Sequence, residues 1–286
     1  GIARPVLVGP ADALPDCPPE GVQLEAMDTS EHADLYVQHY SETRGMKERV
    51  ARRMLGRPLV HAAMMVACGH ADGMVAGIAH PTAGVLQAAG LAVGYGEGIE
   101  SASSSFIMVV PKLRGETDVP LIFADCAVAV DPTSTQLADI AVASACTARQ
   151  FLQVVPRVAM LSFSTAGSAA HDLVDRVKEA TALAAEKIGD GHVEGELQFD
   201  SAVNPDVADK KGVGGGEVAG RANVLIFPDL NSGNICYKAV RELCGAQAIG
   251  PVLQGFARPV NDLSRSASVE DVVGTTVITV LQAAEE

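Results

Sequence analysis

Apolar runs of strand length alternate with segments of helical periodicity along most of the chain. This alternation predicts an α/β protein with a mostly parallel sheet covered by helices on both faces. Because the sequence contains no internal repeat and no long linker, any second domain is expected to be inserted into the first. Strands are predicted at 2–8, 105–110, 120–130, 157–162, 222–228 and 248–253, and helices at 31–55 (interrupted at Gly45), 58–68, 136–151, 172–187, after Asp229 and at 272–284.

The last predicted helix has a clear start signal. Ser268 is expected to be its N-cap, because the hydroxyl can accept a free backbone N–H of the first turn. Asp271, three residues later, completes a capping box with Asp in place of the usual Glu. Arg265 then lies just ahead of a helix N-terminus, an arrangement suited to a phosphate or acyl-phosphate oxygen. The pattern alone leaves two alternatives for each residue. Asp271 either caps the helix or takes part in catalysis, and Arg265 either forms a surface ion pair or binds an anion.

Composition and charge restrict the possible partners. The 286 residues carry a formal charge of −14, which argues against non-specific binding to nucleic acid or anionic membranes. An anionic ligand must therefore be held by a local positive pocket. No C-x-x-C pair occurs among the six cysteines, so we expect reduced packing residues in a cytoplasmic protein, without disulfides or a metal site. No signal peptide or membrane-spanning run is predicted.

Small polar side chains follow several predicted strands, where α/β sheets bind ligands. Ser164 and Thr165 come after the strand at 157–162, and His171 beyond them is expected to be a loop or capping residue rather than a proton carrier. Lys211 lies in a glycine-rich loop that is neither a P-loop nor a dinucleotide fingerprint. A second anion-binding candidate is a helix start bearing hydroxyl, amide and ammonium groups, with Asn231, Asn234 and Lys238.

Ordered motifs along the chain resemble those of the phosphate acetyltransferases (phosphotransacetylases) within the phosphate acetyl/butyryltransferase family. The most specific is Pro-Val-Asn-Asp-Leu-Ser-Arg at 259–265, followed by Ser268-Val-Glu-Asp271. Together the motifs extend from about residue 62 to the C-terminus. The others, in chain order, are 71–75, 123–128, 131–133, 161–165, 196–200, 226–234 and 248–255.

The resemblance implies a specific architecture. It is that of isocitrate and isopropylmalate dehydrogenases, with two three-layer α/β/α domains flanking a cleft. The first domain would take residues 1–97 and 253–286, and the inserted second domain residues 98–252. Members of the family usually carry a further strand–helix unit before this point, so the sequence is expected to be a fragment or a shortened variant. The resemblance also suggests a homodimer.

The resemblance further implies transfer of an acetyl group between coenzyme A and inorganic phosphate, by direct attack in a ternary complex. Coenzyme A is then a substrate, and no cofactor or metal is expected. Asp271 is the candidate general base for the thiol, Ser264 would steady the thiol or thiolate, and Arg265 would bind the phosphoryl group and polarise the carbonyl. An acylated Ser264 is less favoured, because no His lies nearby in sequence to activate it.

The resemblance assigns further substrate contacts. Thr82 is similar to a hydroxyl near the acyl-phosphate site, and Arg44 to an arginine that contacts coenzyme A. Lys211 is expected to reach a phosphate when its loop closes. Many family members have an Arg shortly after the equivalent of Thr82, whereas this chain has Gly84 and Gln87. How the phosphates of coenzyme A are held is therefore open.

Three other functions are considered. A phosphate butyryltransferase would use the same chemistry with a roomier acyl pocket. A non-catalytic acetyl-CoA-sensing domain, like the one fused to certain malic enzymes, is disfavoured by the presence of Ser264, Arg265 and Asp271. A metal- or NAD-dependent decarboxylating dehydrogenase lacks a clustered carboxylate motif in the sequence.

Overall fold

The computed structural model describes residues 1–189, 192–265 and 267–284. Two compact units emerge: Gly1–Glu97 with Phe256–Glu286, and Gly98–Gly255. The predicted boundary after residue 252 falls inside a strand, Gln247–Gln254, whose pairing keeps it in the second unit. The boundary therefore lies three residues later than predicted, after Gly255.

In chain order the strands are β1 (Val6–Gly9), β2 (Gln23–Ala26), β3 (Met74–Ala76), β4 (Ser103–Leu113), β5 (Glu116–Ala124), β6 (Val158–Leu161), β7 (Val193–Leu197), β8 (Val224–Ile226), β9 (Gln247–Gln254) and β10 (Val260–Asp262). The helices are α1 (Ala33–Arg44), α2 (Glu48–Leu55), α3 (Pro58–Ala67), α4 (Thr82–Ala92), α5 (Ser134–Thr147), α6 (Asp172–Ile188), α7 (Phe199–Val203), α8 (Pro205–Lys210), α9 (Leu230–Cys244) and α10 (Val269–Ala283).

The first unit contains two parallel strand pairs, β1 with β2 and β3 with β10, rather than one continuous sheet. Helices α1 to α4 and α10 complete it. Its core is formed by apolar side chains with helical spacing, among them Tyr36, Met64 and Val85, packed against Val260 of β10. The break predicted at Gly45 is present, because this residue takes the left-handed conformation that ends α1.

The second unit is a three-layer α/β/α sandwich around a six-stranded sheet in the order β7-β6-β8-β5-β4-β9. Successive residues of β5 point to opposite faces: Ile122 packs with α5 and α6, and Phe123 packs with the layer that includes α9. Burial on both faces explains why this strand is an unbroken apolar run. β4 is antiparallel to both β5 and β9, and the remaining pairings of this sheet are parallel.

The predicted α/β class is confirmed, with differences at the ends of elements. β5 stops at Ala124 rather than continuing to 130, because the Asp125 carboxylate accepts the N–H groups of Ala127, Val128 and Ala129 and turns the chain. Strands β2, β3, β7 and β10 and helices α4, α7 and α8 were not predicted. Within the described ranges, no helix is long and apolar enough to cross a membrane.

Candidate active site

The start of α10 has the predicted capping box. Ser268 Oγ accepts the Asp271 N–H at 3.1 Å, and Asp271 Oδ2 accepts the Ser268 N–H at 2.8 Å. The capping interpretation of Asp271 is therefore confirmed as a structural contact. The side chain is also exposed, so capping does not remove it from solvent or from a ligand.

Ser264 and Arg265 are exposed on the turn that joins β10 to α10. The turn is anchored at its start, because β10 pairs with β3 and the Leu263 N–H donates to Ala76 O at 2.7 Å. The buried Asn261 amide donates to Thr279 Oγ1 and Gln282 Oε1, which fixes β10 against α10. The hydroxyl and the guanidinium are thus presented from a short segment whose backbone is held in place.

Asp262, one residue before this turn, is a buried carboxylate that sequence analysis did not single out. Its side chain is 5% exposed, and Oδ2 accepts a 2.5 Å hydrogen bond from Thr82 Oγ1 at the first residue of α4. Oδ1 has no hydrogen-bond partner among the described residues. Burial raises the pKa of Asp262, and the Thr82 hydroxyl and Leu263 N–H oppose this only in part. Its place inside the motif at 259–265 was the available sequence signal.

Gly77 allows this close packing. Its φ of +123° disfavours other residues, and an added Cβ would overlap the Leu263 carbonyl and Asp262 Oδ1. The glycine in the Ala71–Gly77 segment therefore serves backbone approach between the β3 end and β10.

The Arg44 guanidinium caps the end of α4. Its Nε donates to Leu91 O and one terminal nitrogen to Gly90 O, both at 2.7 Å. Gly84 and Gln87, where many family members have a nearby Arg, line a cavity of about 280 Å³ in the first unit. Arg57 and His80 line the same cavity. Arg57 is a basic residue there that sequence reasoning missed.

In the second unit, the predicted hydroxyls Ser164 and Thr165 are buried and hydrogen-bonded within the unit, largely to residues at the end of β7. Ser164 Oγ donates to Glu196 Oε1 at 2.8 Å and accepts the Ala169 N–H at 3.1 Å. Thr165 Oγ1 accepts the Gln198 N–H at 2.9 Å. Both side chains therefore hold the loop after β6, and neither is presented to a ligand in this conformation.

Lys211 and His171 likewise have internal partners. Lys211 Nζ lies 2.9 and 3.0 Å from the two Asp200 oxygens and 2.8 Å from Gln198 Oε1. This contact lowers the pKa of Asp200. His171 is the N-cap of α6, with Nδ1 accepting the Leu173 N–H at 3.1 Å. The expectation that His171 is a capping residue is confirmed.

The start of α9 does present polar groups to solvent. Asp229 caps the helix by accepting the Ser232 N–H at 2.8 Å. Asn231 and Lys238 are exposed and seven residues apart, so they share one helix face. Asn234 is turned inward, and its amide donates to Cys126 O at 3.0 Å. Of the three predicted ligand residues on this helix, two are available and one supports the loop after β5.

Within the described ranges, no group of three or more His, Cys, Asp or Glu side chains is arranged to hold a metal ion. All six cysteines, each of which lies in the described ranges, are free thiols.

Several known proteins are similar to this chain in sequence or in structure. A family model for phosphate acetyl/butaryl transferases matches residues 1–280. The chain is 47% identical to a phosphate acetyltransferase of Thermoanaerobacterium thermosaccharolyticum, covering 99% of this chain and 88% of that protein. It is 43% identical to a phosphate acetyltransferase of Acetivibrio thermocellus, covering 99% and 87%. A phosphotransacetylase structure from Streptococcus pyogenes superposes with a TM-score of 0.86 and 41% identity, covering 93% of this chain and 79% of that one.

Because the sequence identity is this high over nearly the whole chain and the fold matches, this chain belongs to the phosphate acetyl/butaryl transferase family.

Proposed function

We propose that this protein is a phosphate acetyltransferase, which transfers an acetyl group between coenzyme A and inorganic phosphate. The observation that carries the proposal is the near-full-length identity of 47% and 43% to two phosphate acetyltransferases. The presence of Ser264, Arg265 and Asp271 on an anchored turn and helix start supports a catalytic protein rather than a sensing domain.

In the proposed mechanism the thiol of coenzyme A attacks the carbonyl carbon of acetyl phosphate in a ternary complex. Asp271 takes the thiol proton, the S–C bond forms and the C–O bond to phosphate breaks. Ser264 donates a hydrogen bond to the developing thiolate. Arg265 binds the phosphoryl oxygens and stabilises the charge that develops on the carbonyl oxygen. Coenzyme A is a substrate here, and no step requires a metal or a cofactor.

The exposed turn before α10 suits the binding of a phosphate group. The Arg265 guanidinium carries a permanent charge and fits phosphate by two parallel hydrogen bonds. The α10 N-terminus adds a positive dipole end for the same anion. A local cationic feature of this kind is needed because the whole chain carries a net charge of −14.

Further substrate contacts are proposed at Thr82, Asn231 and Lys238. For Arg44, Ser164, Thr165, Asn234 and Lys211, a direct contact with substrate requires exchange of the internal bonds described above. For Lys211 the bonds to exchange are those to the exposed Asp200 carboxylate and the half-buried Gln198 amide oxygen. Arg57 offers a cation beside Gln87 for a phosphate of coenzyme A.

We also propose that the protein is a cytoplasmic homodimer. Free thiols throughout the described chain fit a reducing compartment, and the dimer is proposed from the family resemblance. A phosphate butyryltransferase is the second candidate, because the matching family model includes both activities.

Arsenate-dependent hydrolysis of acetyl-CoA by the purified chain, run beside butyryl-CoA, tests the proposal. Arsenate replaces phosphate and its acyl product hydrolyses, so thiol release reports transfer. The proposal predicts arsenate-dependent release that is faster with acetyl-CoA. Faster release with butyryl-CoA would favour the second candidate, and coenzyme A binding without any turnover would favour a sensing domain.

A further inference from the structure

The carboxylate of Asp262 is bonded very differently from the other buried carboxylates of this chain. Asp125, also buried, accepts hydrogen bonds from Ser104 N and Oγ and from three backbone N–H groups of its own loop. Glu196 accepts bonds from Ser164 and Gly167. Asp262 accepts a single side-chain hydrogen bond, from Thr82, and the Leu263 N–H, which also donates to Ala76 O, is its one backbone donor. Asp139 accepts the Glu100 N–H and a charged bond from Lys187 Nζ. A permanently ionised buried carboxylate needs several donors or a counter-charge, so Asp262 lacks the compensation seen at the other three buried carboxylates of the described residues.

The surroundings of Asp262 supply no charge either. The elements packed against β10 are β3, α4 and α10. β3 and α4 carry no titratable side chain, and α10 carries Glu270 and Asp271 at its start. The loops that adjoin β3 and β10 carry the titratable residues His70, Asp72, His80, Arg258 and Arg265. Burial and two hydrogen bonds set the pKa of Asp262, and no charged group contributes. Burial with few compensating donors therefore favours the protonated form of Asp262 more than it does for an exposed Asp.

The Thr82 hydroxyl has one proton, and Asp262 determines where it points. With Asp262 ionised, Thr82 donates to Oδ2, as in the structure, and offers only lone pairs to a ligand. With Asp262 protonated, the acid donates to Thr82 Oγ1, and Thr82 can donate its own proton outward. Thr82 is hydrogen-bonded to Asp262, and Ser264 is only two residues from Asp262. The Thr82 hydroxyl therefore lies beside the proposed reaction centre.

We propose that Thr82 and Asp262 form a proton relay for the phosphate substrate, separate from the Asp271 carboxylate that serves the thiol. This inference rests on the proposed acetyl transfer. When thiol attacks acetyl phosphate, expulsion of phosphate without a proton would give a trianion. Thr82 donates its proton to the leaving phosphate oxygen as protonated Asp262 donates to Thr82. The S–C bond forms, the C–O bond breaks, and HPO₄²⁻ leaves.

The two carboxylates then have complementary tasks. Asp271 gains the thiol proton while Asp262 loses one, so the protein's proton count is unchanged and exchange with solvent restores both groups. In the reverse direction Asp262, ionised, accepts the proton of attacking HPO₄²⁻ through Thr82, and Asp271 protonates the departing thiolate. Two acids held in different environments, one buried and one exposed, is the arrangement expected when one acts as acid and the other as base.

Four variants test the relay: Thr82→Val, Thr82→Ser, Asp262→Asn and the double variant T82V/D262N. The measurement is kcat for acetyl-CoA formation from acetyl phosphate between pH 5.5 and 9, with KM for coenzyme A. T82V and D262N are expected to lower kcat about 100-fold each, within the range for general acid–base groups, with KM for coenzyme A unchanged. The double variant should be no worse than the poorer single one, because the residues act as a unit. T82S should keep most of the activity.

The pH profile gives a readout that a structural role would not alter. In the wild type, kcat for acetyl-CoA formation should fall at high pH as Asp262 loses its proton, and this limb should be absent in T82V and D262N. Ser104→Ala is the matched control. It removes the equivalent hydroxyl–carboxylate bond to Asp125 in the second unit, and should lower the Tm while leaving the high-pH limb in place.

Three outcomes would overturn the relay while leaving acetyl transfer intact. T82V could keep the wild-type kcat and pH profile, or the kcat losses of the two single variants could multiply in the double variant. The third is a kcat loss in D262N that is no larger than the fraction of unfolded protein in the sample. If D262N does not fold, the comparison of T82V with T82S decides. A wild-type chain that forms no acetyl-CoA from acetyl phosphate would overturn the proposed function and the relay together.

Discussion

Asp271 has two separable tasks, and Asp271→Asn is expected to remove one of them. In the structure Asp271 Oδ2 accepts the Ser268 N–H, and Ser268 Oγ accepts the Asp271 N–H. The Asn amide oxygen can still accept that backbone N–H, so the start of α10 is preserved. The base for the thiol is lost. We therefore expect kcat to fall about 10²- to 10⁴-fold, equivalent to about 3–5 kcal/mol of activation free energy.

Two variants isolate the structural contribution. Ser268→Ala removes the capping hydroxyl while retaining the carboxylate, and should cost about 1 kcal/mol of folding free energy, or about 2–4 °C in Tm. Thr133→Ala removes the corresponding bond in the capping box of α5, where Gln136 N donates to Thr133 Oγ1 at 3.3 Å. Its cost in Tm should be similar, and its kcat should be that of the wild type.

The assay is thiol-dependent acetyl-CoA formation at saturating substrates, beside thermal unfolding of the same samples. We expect a large kcat loss with little change in Tm for D271N, and a wild-type kcat with a Tm lowered by about 2–4 °C for T133A. A D271N protein with near-wild-type kcat and a Tm lowered as in T133A would refute the catalytic role. Asp271 would then be a capping residue alone.

Three further predictions concern the anion site, a close backbone approach and acid stability. Arg265→Gln should raise KM for acetyl phosphate about tenfold or more and lower kcat, because a charged hydrogen bond is lost. Arg241→Gln, which breaks only a surface pair with Glu242, is the control. Unchanged phosphate kinetics in R265Q would exclude Arg265 as the phosphate-binding residue. Gly77→Ala should lower the free energy of unfolding by about 2 kcal/mol, because of the strained φ and the overlap with Leu263; an unchanged denaturation midpoint would contradict the packing described. Burial alone would raise the pKa of Glu196, but bonds from Gly167 and Ser164 and the charge of Lys178 lower it overall. Its stabilisation is therefore complete above the unfolded pKa of about 4.3 and is lost as the pH falls through the lowered folded pKa. Glu196→Gln should lower the free energy of unfolding at pH 7 by about 2 kcal/mol and flatten its decline below about pH 4, and an unaltered acid limb in urea denaturation would count against this role.

The sequence predicted the long elements well where periodicity and end signals agree. α3, α6 and α10 have strong apolar spacing, and the Ser268 cap lies where its hydroxyl predicted it. The short strands β3 and β10 were missed, because three residues carry too little pattern. They are strands only because each pairs with the other from a distant part of the chain.

The sequence predicted only part of the candidate site, because a local motif does not show contacts between distant parts of the chain. The motif at 259–265 located Ser264 and Arg265, which the structure presents on an exposed turn. The contacts of Arg44, Ser164 and Lys211 could not be predicted, because their partners are carbonyls and carboxylates brought close only by folding. Asp262 lay inside the motif, but its burial and its bond to Thr82, 180 residues away, become visible only in three dimensions.

The most direct test of acetyl transfer is the identity of the product formed from acetyl-CoA and inorganic phosphate. Phosphorus NMR of a reaction with the purified chain should show acetyl phosphate appearing as free thiol is released in equal amount, and R265Q should form it far more slowly. Release of thiol without acetyl phosphate, or no reaction despite coenzyme A binding, would contradict the proposed function.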